Sequence, residues 1–296
     1  LSQVAPSVYT LWSILSTLFF GFLISHLWKF DRFESLKWRS NRNKGAFKRV
    51  MTFTYLLGLP CIMVYSIGMM VIKYQEGYTP YLVIPTPYIL WSPTNRSLVL
   101  KLVMFWAVAW GLEIVTHLEE LCFWLFLMNA GGSHVSWFSS IYFKLWAVGS
   151  VAGLTSIPLV TWFTRSDPLT SEAYTLLVGS SASLLITLGG LRIVWTFPAF
   201  LHTVRSAGAE PEVVVRLTTF HDVNVMRIIF RFVFTVPAFI LAVDGVHGHH
   251  HPINDDALWT DFLAALVGIG LIMSSCLTLL IFFPRSIERE AGYRPK

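Results

Sequence analysis

The feature that most constrains the fold is an apolar stretch from Leu98 to Met128, which is long enough to cross a lipid bilayer as one helix. At ~1.5 Å per residue such a helix is about 45 Å long. Ionisable side chains nevertheless lie inside it, namely Glu113, His117, Glu119 and Glu120. Such side chains are costly in hydrocarbon, so they mark either a functional site or a paired structural network inside a helix bundle.

The composition places the whole chain among polytopic membrane proteins. The 296 residues are 54% hydrophobic and 13% charged, whereas an average soluble domain has about 25% charged residues. Apolar segments predict seven spans, at about 9–28, 50–74, 98–128, 140–163, 172–201, 222–246 and 262–283. We therefore predict an all-α fold, a single transmembrane bundle of seven helices comprising residues 1–296. Because the first residue is Leu1 and not Met, we expect the sequence to be part of a longer chain.

Basic residues predict which ends of the helices face the cytoplasm. The connection 29–49 contains eight Lys or Arg, and its side of the membrane carries 14 against three on the other side. Because cytoplasmic loops are enriched in Lys and Arg, we predict an outer N-terminus and a cytoplasmic C-terminus. The expected location is the plasma membrane or an endomembrane, in contact with lipid and without a nucleic-acid partner. The three cysteines lie in apolar segments and predict no disulfide framework.

Charged residues of three spans are expected to meet in the inner part of the bundle. The candidates are Glu113, His117, Glu119 and Glu120 on span three and Arg192, Arg227 and Arg231 on spans five and six. Glu113, His117 and Glu120 share one helical face, whereas Glu119 points about 100° away from Glu120. Pairing between arginine and carboxylate satisfies both groups, so the sequence predicts an ion-pair network joining these spans. A structural network is the first interpretation, and a conformational latch is its functional alternative.

Two places offer ligands for a divalent metal ion. The Glu–His–Glu face of span three has suitable spacing but no further ligand at its depth on another span, which favours a hydrogen-bonded histidine. The outer loop after span six is richer in ligands: His247, His249, His250 and His251, beside Asp244, Asp255 and Asp256. Its glycines fix no geometry, so a solvated polar loop is the favoured alternative. On the same side, Asn95 in Asn95-Arg96-Ser97 is a candidate for N-glycosylation.

Prolines and glycines inside the spans predict kinks and close contacts. The prolines are Pro60, Pro158, Pro198 and Pro237, within or at the end of spans two, four, five and six. Pro198 and Pro237 are candidate hinges for the inner ends of spans five and six. Gly149 and Gly153, one turn apart in span four, are expected at a close helix crossing.

The outer N-terminus, the kinking prolines, the inner charge layer and the basic tail give the chain an architecture that resembles the seven-helix G-protein-coupled receptors. Their signature motifs are not matched: span three ends Phe126-Leu127-Met128-Asn129, without an Asp-Arg-Tyr triplet. No cofactor is expected from the spans, and retinal is excluded because span seven has no lysine for a Schiff base. The resemblance implies an unidentified outer ligand and a cytoplasmic coupling protein at the basic inner loops.

Three classes of function are compatible with these features. A receptor-like signalling protein is the leading hypothesis, because the hinges and the Glu/Arg latch suit transmission of an outer signal. A transporter or channel for ions or small molecules is the first alternative, since charges inside a bundle can line a path. A subunit of a membrane complex, catalytic or not, is the second. The chain lacks a nucleophile elbow, a phosphate loop and a helical metal-hydrolase motif, which argues against an enzyme. Self-association remains open.

Overall fold

The computed structural model describes residues 4–33, 36, 46–79, 84–129, 136–248 and 251–283. Seven long helices contain most of them: α1 (Pro6–Asp31), α2 (Ala46–Glu76), α3 (Pro93–Asn129), α4 (Ile141–Phe163), α5 (Pro168–Ser206), α6 (Pro211–Val246) and α7 (Ala257–Phe282). Two short 3₁₀ turns, Tyr88–Leu90 and Trp137–Ser139, precede α3 and α4. None of these described ranges contains a strand, so the all-α prediction is confirmed.

Each of the seven helices is long and apolar enough to cross a membrane, which indicates a multi-pass integral membrane protein. The predicted number of spans is thus confirmed. One predicted connection is wrong: the sequence predicts a loop at 202–221, but only residues 207–210 separate α5 from α6. Pro211 lies in the first turn of α6, where its missing N–H removes no helical hydrogen bond, so it begins the helix instead of interrupting it.

Local capping chemistry fixes other helix starts. Asp167 accepts hydrogen bonds from two backbone N–H groups in the first turn of α5, and Asp256 does the same for α7. The hydroxyl of Ser140 accepts a hydrogen bond from the first turn of α4. These caps begin α5 and α7 four to five residues earlier than hydropathy predicts, because a capping carboxylate, not the first apolar residue, defines the helix start.

Six of the seven helices form a ring, in chain order except that α4 is left out between α3 and α5. Contacts join α1 to α2, α2 to α3, α3 to α5, α5 to α6, α6 to α7, and α7 back to α1. Helix α4 lies outside this ring against α3 and α5 and is the least buried of the seven. Helix α3 packs against α2, α4 and α5 and contacts α6 through its side chains, so its middle part is surrounded by protein.

The bundle has two ends, which we name by the chain termini. At the N-terminal face, where α1 begins, the backbone N–H of Ala5 donates to Oδ1 of Asp261 in the first turns of α7 (2.7 Å). At the opposite C-terminal face, a ring nitrogen of His26 in α1 lies 2.8 Å from the carbonyl oxygen of Phe283, just after α7. The distribution of basic residues predicts that the N-terminal face is the outer one.

Two helix crossings are close at glycine residues. A Cβ at Gly149 or Gly153 would come within 2.7 Å of a side chain of α3, so the predicted close crossing of α4 is confirmed. A second crossing was not apparent from the sequence. A Cβ at Gly270 of α7 would lie 2.8 Å from the carbonyl oxygen of Phe230 in α6, and closer still to the backbone nitrogen of Phe234. The backbones of α6 and α7 are therefore in contact there.

Candidate functional site

The polar face of α3 is turned toward α5 and α6. Glu113, His117 and Glu120 lie together on it, with side chains that are at most 8% exposed. The ring of His117 lies between the carboxylates: Nε2 is 3.3 Å from Oε1 of Glu113, and Nδ1 is 3.4 Å from Oε2 of Glu120. Each carboxylate also pairs with an arginine of α6. We call Arg231–Glu113 the upper pair, nearer the N-terminal face, and Arg227–Glu120 the lower pair.

In the upper pair, Arg231 donates from Nη1 to Oε1 of Glu113 (3.0 Å). Its other donors bond to α5, Nε to Oγ1 of Thr187 (3.0 Å) and Nη2 to the carbonyl of Ser183 (3.3 Å). The Ser183 hydroxyl donates to Oε2 of Glu113 (3.3 Å) and accepts from the indole N–H of Trp110 (3.0 Å). Every guanidinium nitrogen and carboxylate oxygen thus has a partner, and the pair ties α3, α5 and α6 together.

The lower pair is less complete. Arg227 donates from Nη1 to Oε2 of Glu120, and its Nε and Nη2 donate to Oδ1 of Asn224 at 3.1 and 2.7 Å. Three buried atoms around this pair have no hydrogen-bond partner in the described part of the chain: Glu120 Oε1, Asn224 Nδ2 and Trp124 Nε1. Buried polar groups are normally hydrogen-bonded, so this concentration of unused donors and acceptors distinguishes the lower pair from the upper one.

Two residues that the sequence assigns to the network lie elsewhere. Glu119 is 2% exposed, but among the described residues its Oε2 has no hydrogen-bond partner and its carboxylate has no ion pair. Arg192 is exposed on α5 next to the apolar side chains of Leu188 and Trp195, so the expectation that it faces the interior is wrong. Helix α5 packs on α6 through Gly190. Two residues further along, the helix has turned by about 200°, which points Arg192 away from the bundle.

Aromatic side chains cover the lower pair on the side of the C-terminal face. Trp124 of α3 stacks on Phe220 of α6 with 3.7 Å between the ring centroids. Phe197 of α5 packs edge-on against Trp124 at 5.8 Å. The rings come from the same three helices as the ion-pair network, so a displacement of α6 that opens the lower pair also disturbs this aromatic cluster.

A second buried polar cluster lies near the N-terminal face and was not predicted. Lys73 of α2 is 2% exposed, and its Nζ lies 5.2 Å from the ring centroid of Trp91. Glu172 of α5 and Asp261 of α7 act electrostatically on its charge. The hydroxyl of Tyr65 donates to Oε1 of Glu172 (3.4 Å). The only signal in the sequence is that opposite charges occur at matching ends of spans two, five and seven, where solvated side chains are the simpler expectation.

A cavity of about 270 Å³ opens at the N-terminal face between the start of α5, the end of α6 and the α6–α7 connection. Its polar lining comprises Asp167, Thr170, Glu172, His251, Asn254 and Asp255. Its apolar floor includes Leu176 and Leu241. Three of the described lining residues are carboxylic acids and none is Lys or Arg. Glu172 belongs both to this lining and to the buried cluster, so the cavity is in direct contact with the interior.

A series of contacts leads from this cavity to the upper pair. Glu172 accepts a hydrogen bond from Tyr65, whose ring stacks on Trp106 of α3 with 5.2 Å between centroids. Trp106 packs against Trp110 (5.0 Å), which is hydrogen-bonded to the upper pair through Ser183.

No protein-family model, curated protein or solved structure matches this chain. Its function has to be inferred from this geometry.

Glu113 also borders two small cavities in the middle of the bundle, of about 30 Å³ and 10 Å³. Both are lined by Ile62, Ala109 and Leu271 in addition to Glu113, so they adjoin one another. A water molecule needs roughly 10–15 Å³ of such space. The larger cavity therefore has room for water beside the upper pair.

The structure describes the predicted metal loop only in part. His249 and His250 lie outside the described residues, and His247 is exposed. Nδ1 of His251 lies 2.6 Å from the carbonyl oxygen of Asp244, whose carboxylate accepts hydrogen bonds from two backbone N–H groups of the loop. Asp244 thus orders the connection between α6 and α7. In the described ranges no group of three His, Cys, Asp or Glu side chains is arranged for a metal ion, and a metal in this loop stays a prediction.

The candidate glycosylation site is engaged in helix packing. Asn95 lies in the first turn of α3 and is 9% exposed. Its Nδ2 donates to Oε1 of Glu76 (2.7 Å) and to Oε1 of Gln75 (3.2 Å) at the end of α2. This use of the amide counts against its glycosylation in the folded protein, and modification of Asn95 stays a prediction.

The two candidate hinges lie in different surroundings. Pro198 is exposed on α5, whereas Pro237 is buried in α6, between the ion pairs and the N-terminal face. Helix α6 is continuous through Pro237, although a proline removes one backbone hydrogen bond from the helix. Just before Pro237, the segment from Phe230 to Phe234 contacts Gly270 of α7. Helix α6 is thus held by α7 on one side of the proline, and its role as a hinge stays a prediction.

Proposed function

We propose that the protein is a receptor-like signalling protein in which a ligand at the N-terminal face alters the packing of α6 at the C-terminal face. The observation that carries this proposal is the contact series from Glu172 to Glu113, because it joins a ligand-sized cavity to a buried ion-pair network. A ligand shifts a conformational equilibrium only by interacting differently with the two states. Glu172 meets this requirement, since it lines the cavity and also takes part in the buried cluster.

The cavity suits a small polar ligand. Small-molecule pockets typically have roughly 300–1,000 Å³, and the volume of about 270 Å³ lies near the lower limit. A lining with three carboxylic acids and no described basic residue favours a ligand with a cationic or hydrogen-bond-donating group. Such a group bound to Glu172 competes with Tyr65 and Lys73 for the same carboxylate. Ligand binding would thereby change the buried cluster at the beginning of the contact series.

Helix α6 is the element that reaches from the cavity to the C-terminal face. Its last turns contribute Leu241 and Gly245 to the cavity lining. The part of α6 before Pro237, which extends to the C-terminal face, carries both arginines. A tilt of the upper part about Pro237 would move Arg227 relative to Glu120. We expect the lower pair to open before the upper one, because Arg227 makes only one hydrogen bond to another helix, whereas Arg231 makes three.

The test measures the position of α6 at the C-terminal face. Spin labels are placed at Val215 of α6 and Trp28 of α1, which are 64% and 58% exposed, in a variant without native cysteines. Double electron–electron resonance then gives the distance distribution between the labels. We expect Glu120→Gln to add a population with a different distance, because the substitution removes the charge that holds Arg227.

The control substitution is Glu212→Gln, which removes an exposed carboxylate from the same end of α6. Glu212 pairs with Arg216 on the surface, where an ion pair contributes little, so the distance distribution should not change. If the distributions of the unsubstituted protein and Glu120→Gln coincide, the lower pair is only structural. The receptor-like proposal then loses its main support.

Transport of protons or small ions is a second candidate, favoured by the two cavities beside Glu113. Such a path also requires the aromatic cluster around Trp124 to open. The protein is reconstituted in vesicles that contain a pH-sensitive dye. A proton flux that is lost in Glu113→Gln and retained in Glu212→Gln would favour transport over signalling. A flux no greater than that of empty vesicles would leave the signalling proposal as the better account.

A further inference from the structure

Arg192 lies at a defined depth on the lipid-facing side of α5. Gly189, almost one turn before it, packs against Leu121 of α3. Thr196, one turn after it, donates a hydrogen bond to Sδ of Met128 (3.6 Å), one residue before α3 ends. Arg192 is therefore level with the last two turns of α3.

This level lies close to the end of the membrane-spanning part of the bundle. Phe126 of α3 packs against Tyr142 in the first turn of α4, with 6.4 Å between ring centroids. Helix α3 has 37 residues, about 55 Å, which exceeds the ~30 Å hydrocarbon layer, so its last turns are expected to reach the head-group region. Arg192 lies one helical turn, or ~6 Å, inward from the end of α3. Trp195, three residues after Arg192, is 75% exposed, and aromatic side chains are enriched at such interfaces.

No described carboxylate forms an ion pair with Arg192, although its side chain is exposed among apolar neighbours such as Leu185 and Leu188. An unpaired guanidinium is costly in hydrocarbon, but the long arginine side chain can extend to the interface from this depth. Phosphate groups of lipids are present there throughout the leaflet. A planar guanidinium binds a phosphate through two parallel hydrogen bonds, which an ammonium group cannot do.

We propose that Arg192 binds the phosphate of a phospholipid in the leaflet at the C-terminal face, where α5 passes the end of α3. The acyl chains of this lipid lie along Leu185 and Leu188, toward the middle of the bilayer. The depth of Arg192 selects a lipid phosphate over a carboxylate on another protein helix, because every lipid in the leaflet presents its head group at this level. This site is independent of the proposed signalling function.

The test is native mass spectrometry of the full chain, purified in detergent and mixed with phosphatidylglycerol. Diacylglycerol with the same acyl chains is the probe that lacks the phosphate. We expect the unsubstituted protein to retain phosphatidylglycerol, and Arg192→Leu to bind it about tenfold less tightly, as expected for loss of a charged hydrogen-bonded pair. Arg192→Lys should give intermediate retention, since lysine keeps the charge but not the paired hydrogen bonds.

The matched control is Lys144→Leu, which removes another exposed cation near the start of α4. Lys144 lies about 140° around α4 from Gly149, the residue that faces α3, so it points away from the proposed site. Retention of phosphatidylglycerol should be unchanged in this variant. Equal losses in Lys144→Leu and Arg192→Leu, or equal retention of diacylglycerol, overturn the proposal. A dimer that dissociates in Arg192→Leu while lipid retention is unaltered also overturns it, in favour of a contact between two copies of this chain.

Discussion

The two ion pairs between α3 and α6 are built from the same components and differ in completeness. Each joins a glutamate of α3 to an arginine of α6, and all four side chains are at most 8% exposed. All charged atoms of the upper pair have partners, whereas Oε1 of Glu120 and Nδ2 of Asn224 beside the lower pair have none in the described chain. A saturated buried pair resists separation, whereas a pair with unused groups loses less when it rearranges. This difference favours an anchoring role for the upper pair and a conformational change at the lower one.

The helices are also packed more tightly beside the upper pair than beside the lower pair. Next to the upper pair, Gly270 of α7 contacts the backbone of α6 at Phe230 and Phe234. Next to the lower pair, a Cβ at Gly190 of α5 would lie 2.6 Å from Cδ1 and 3.8 Å from Cγ1 of Ile228, both atoms of a flexible side chain. A backbone contact cannot rearrange without moving a helix, whereas a terminal methyl group can rotate away. The region around the upper pair is therefore the more rigid of the two.

The largest expected effect tests the anchor directly. Arg231→Ala leaves Glu113 buried without its cation and should lower the free energy of unfolding by about 3–5 kcal/mol. Arg227→Ala should cost roughly 1 kcal/mol less, because only one of the three hydrogen bonds of Arg227 reaches another helix, whereas all three of Arg231 do. The measurement is reversible unfolding in mixed detergent micelles, followed by circular dichroism. Arg192→Ala serves as the control, with a change of less than about 0.5 kcal/mol. A greater loss in Arg227→Ala than in Arg231→Ala would reverse the comparison.

The next effect tests the helix contacts. Gly270→Ala forces the backbones of α6 and α7 apart and should lower the free energy of unfolding by about 2–3 kcal/mol. Gly190→Ala meets a side-chain methyl group that can rotate, so the expected loss is below about 1 kcal/mol. The same unfolding measurement compares the two substitutions. Similar losses at both positions would show that the two regions are equally rigid.

A smaller effect separates the two carboxylates. Glu113→Gln removes the charge but keeps the shape, and it disturbs a carboxylate whose two oxygens are both bonded. Glu120→Gln disturbs a carboxylate with only one such oxygen. Glu113→Gln should therefore cost about 1 kcal/mol more free energy of unfolding than Glu120→Gln. Double-mutant cycles with Arg231 and Arg227 provide the control, since each glutamate should couple only to its own arginine. Coupling of Glu113 to Arg227 as strong as that to Arg231 would contradict two separate pairs.

Much of this network could be predicted from the sequence, because the relevant information is local. The helical period places Glu113, His117 and Glu120 on one face, and the cost of unpaired charge in hydrocarbon requires partners for them. Arg227 and Arg231 are one turn apart, so one orientation of α6 brings both to that face. The number of spans and the close crossing at Gly149 follow in the same way from apolar length and small-residue spacing.

What could not be predicted depends on how each helix is rotated in the bundle. Arg192 has the same residue type as the paired arginines, but the packing of Gly190 on α6 turns it outward. The cluster of Lys73, Glu172 and Asp261 combines residues of three helices that are distant in sequence, and no periodic pattern links them. The contact at Gly270 could not be predicted either, because a single glycine in an apolar helix does not indicate which helix packs against it.

The smallest effect on stability is expected at Pro237, and it tests whether the two regions move separately. Pro237→Ala restores a backbone N–H in α6 and removes a cause of kinking, so the free energy of unfolding should change by less than about 1 kcal/mol. The effect on the movement of α6 at the C-terminal face should be larger. If the contact at Gly270 is the pivot of α6 and Pro237 lets the last turns of α6 bend, a straight α6 can move its end at the C-terminal face only by also displacing those last turns, and their packing limits the movement. The distance change that Glu120→Gln produces at Val215 should therefore shrink in the double variant Glu120→Gln/Pro237→Ala. Pro198→Ala, at an exposed proline of α5, should leave that distance change unaltered. An undiminished distance change in the double variant would mean that α6 moves as a rigid body. Pro237 would then not be a hinge, and the upper and lower regions would not move separately.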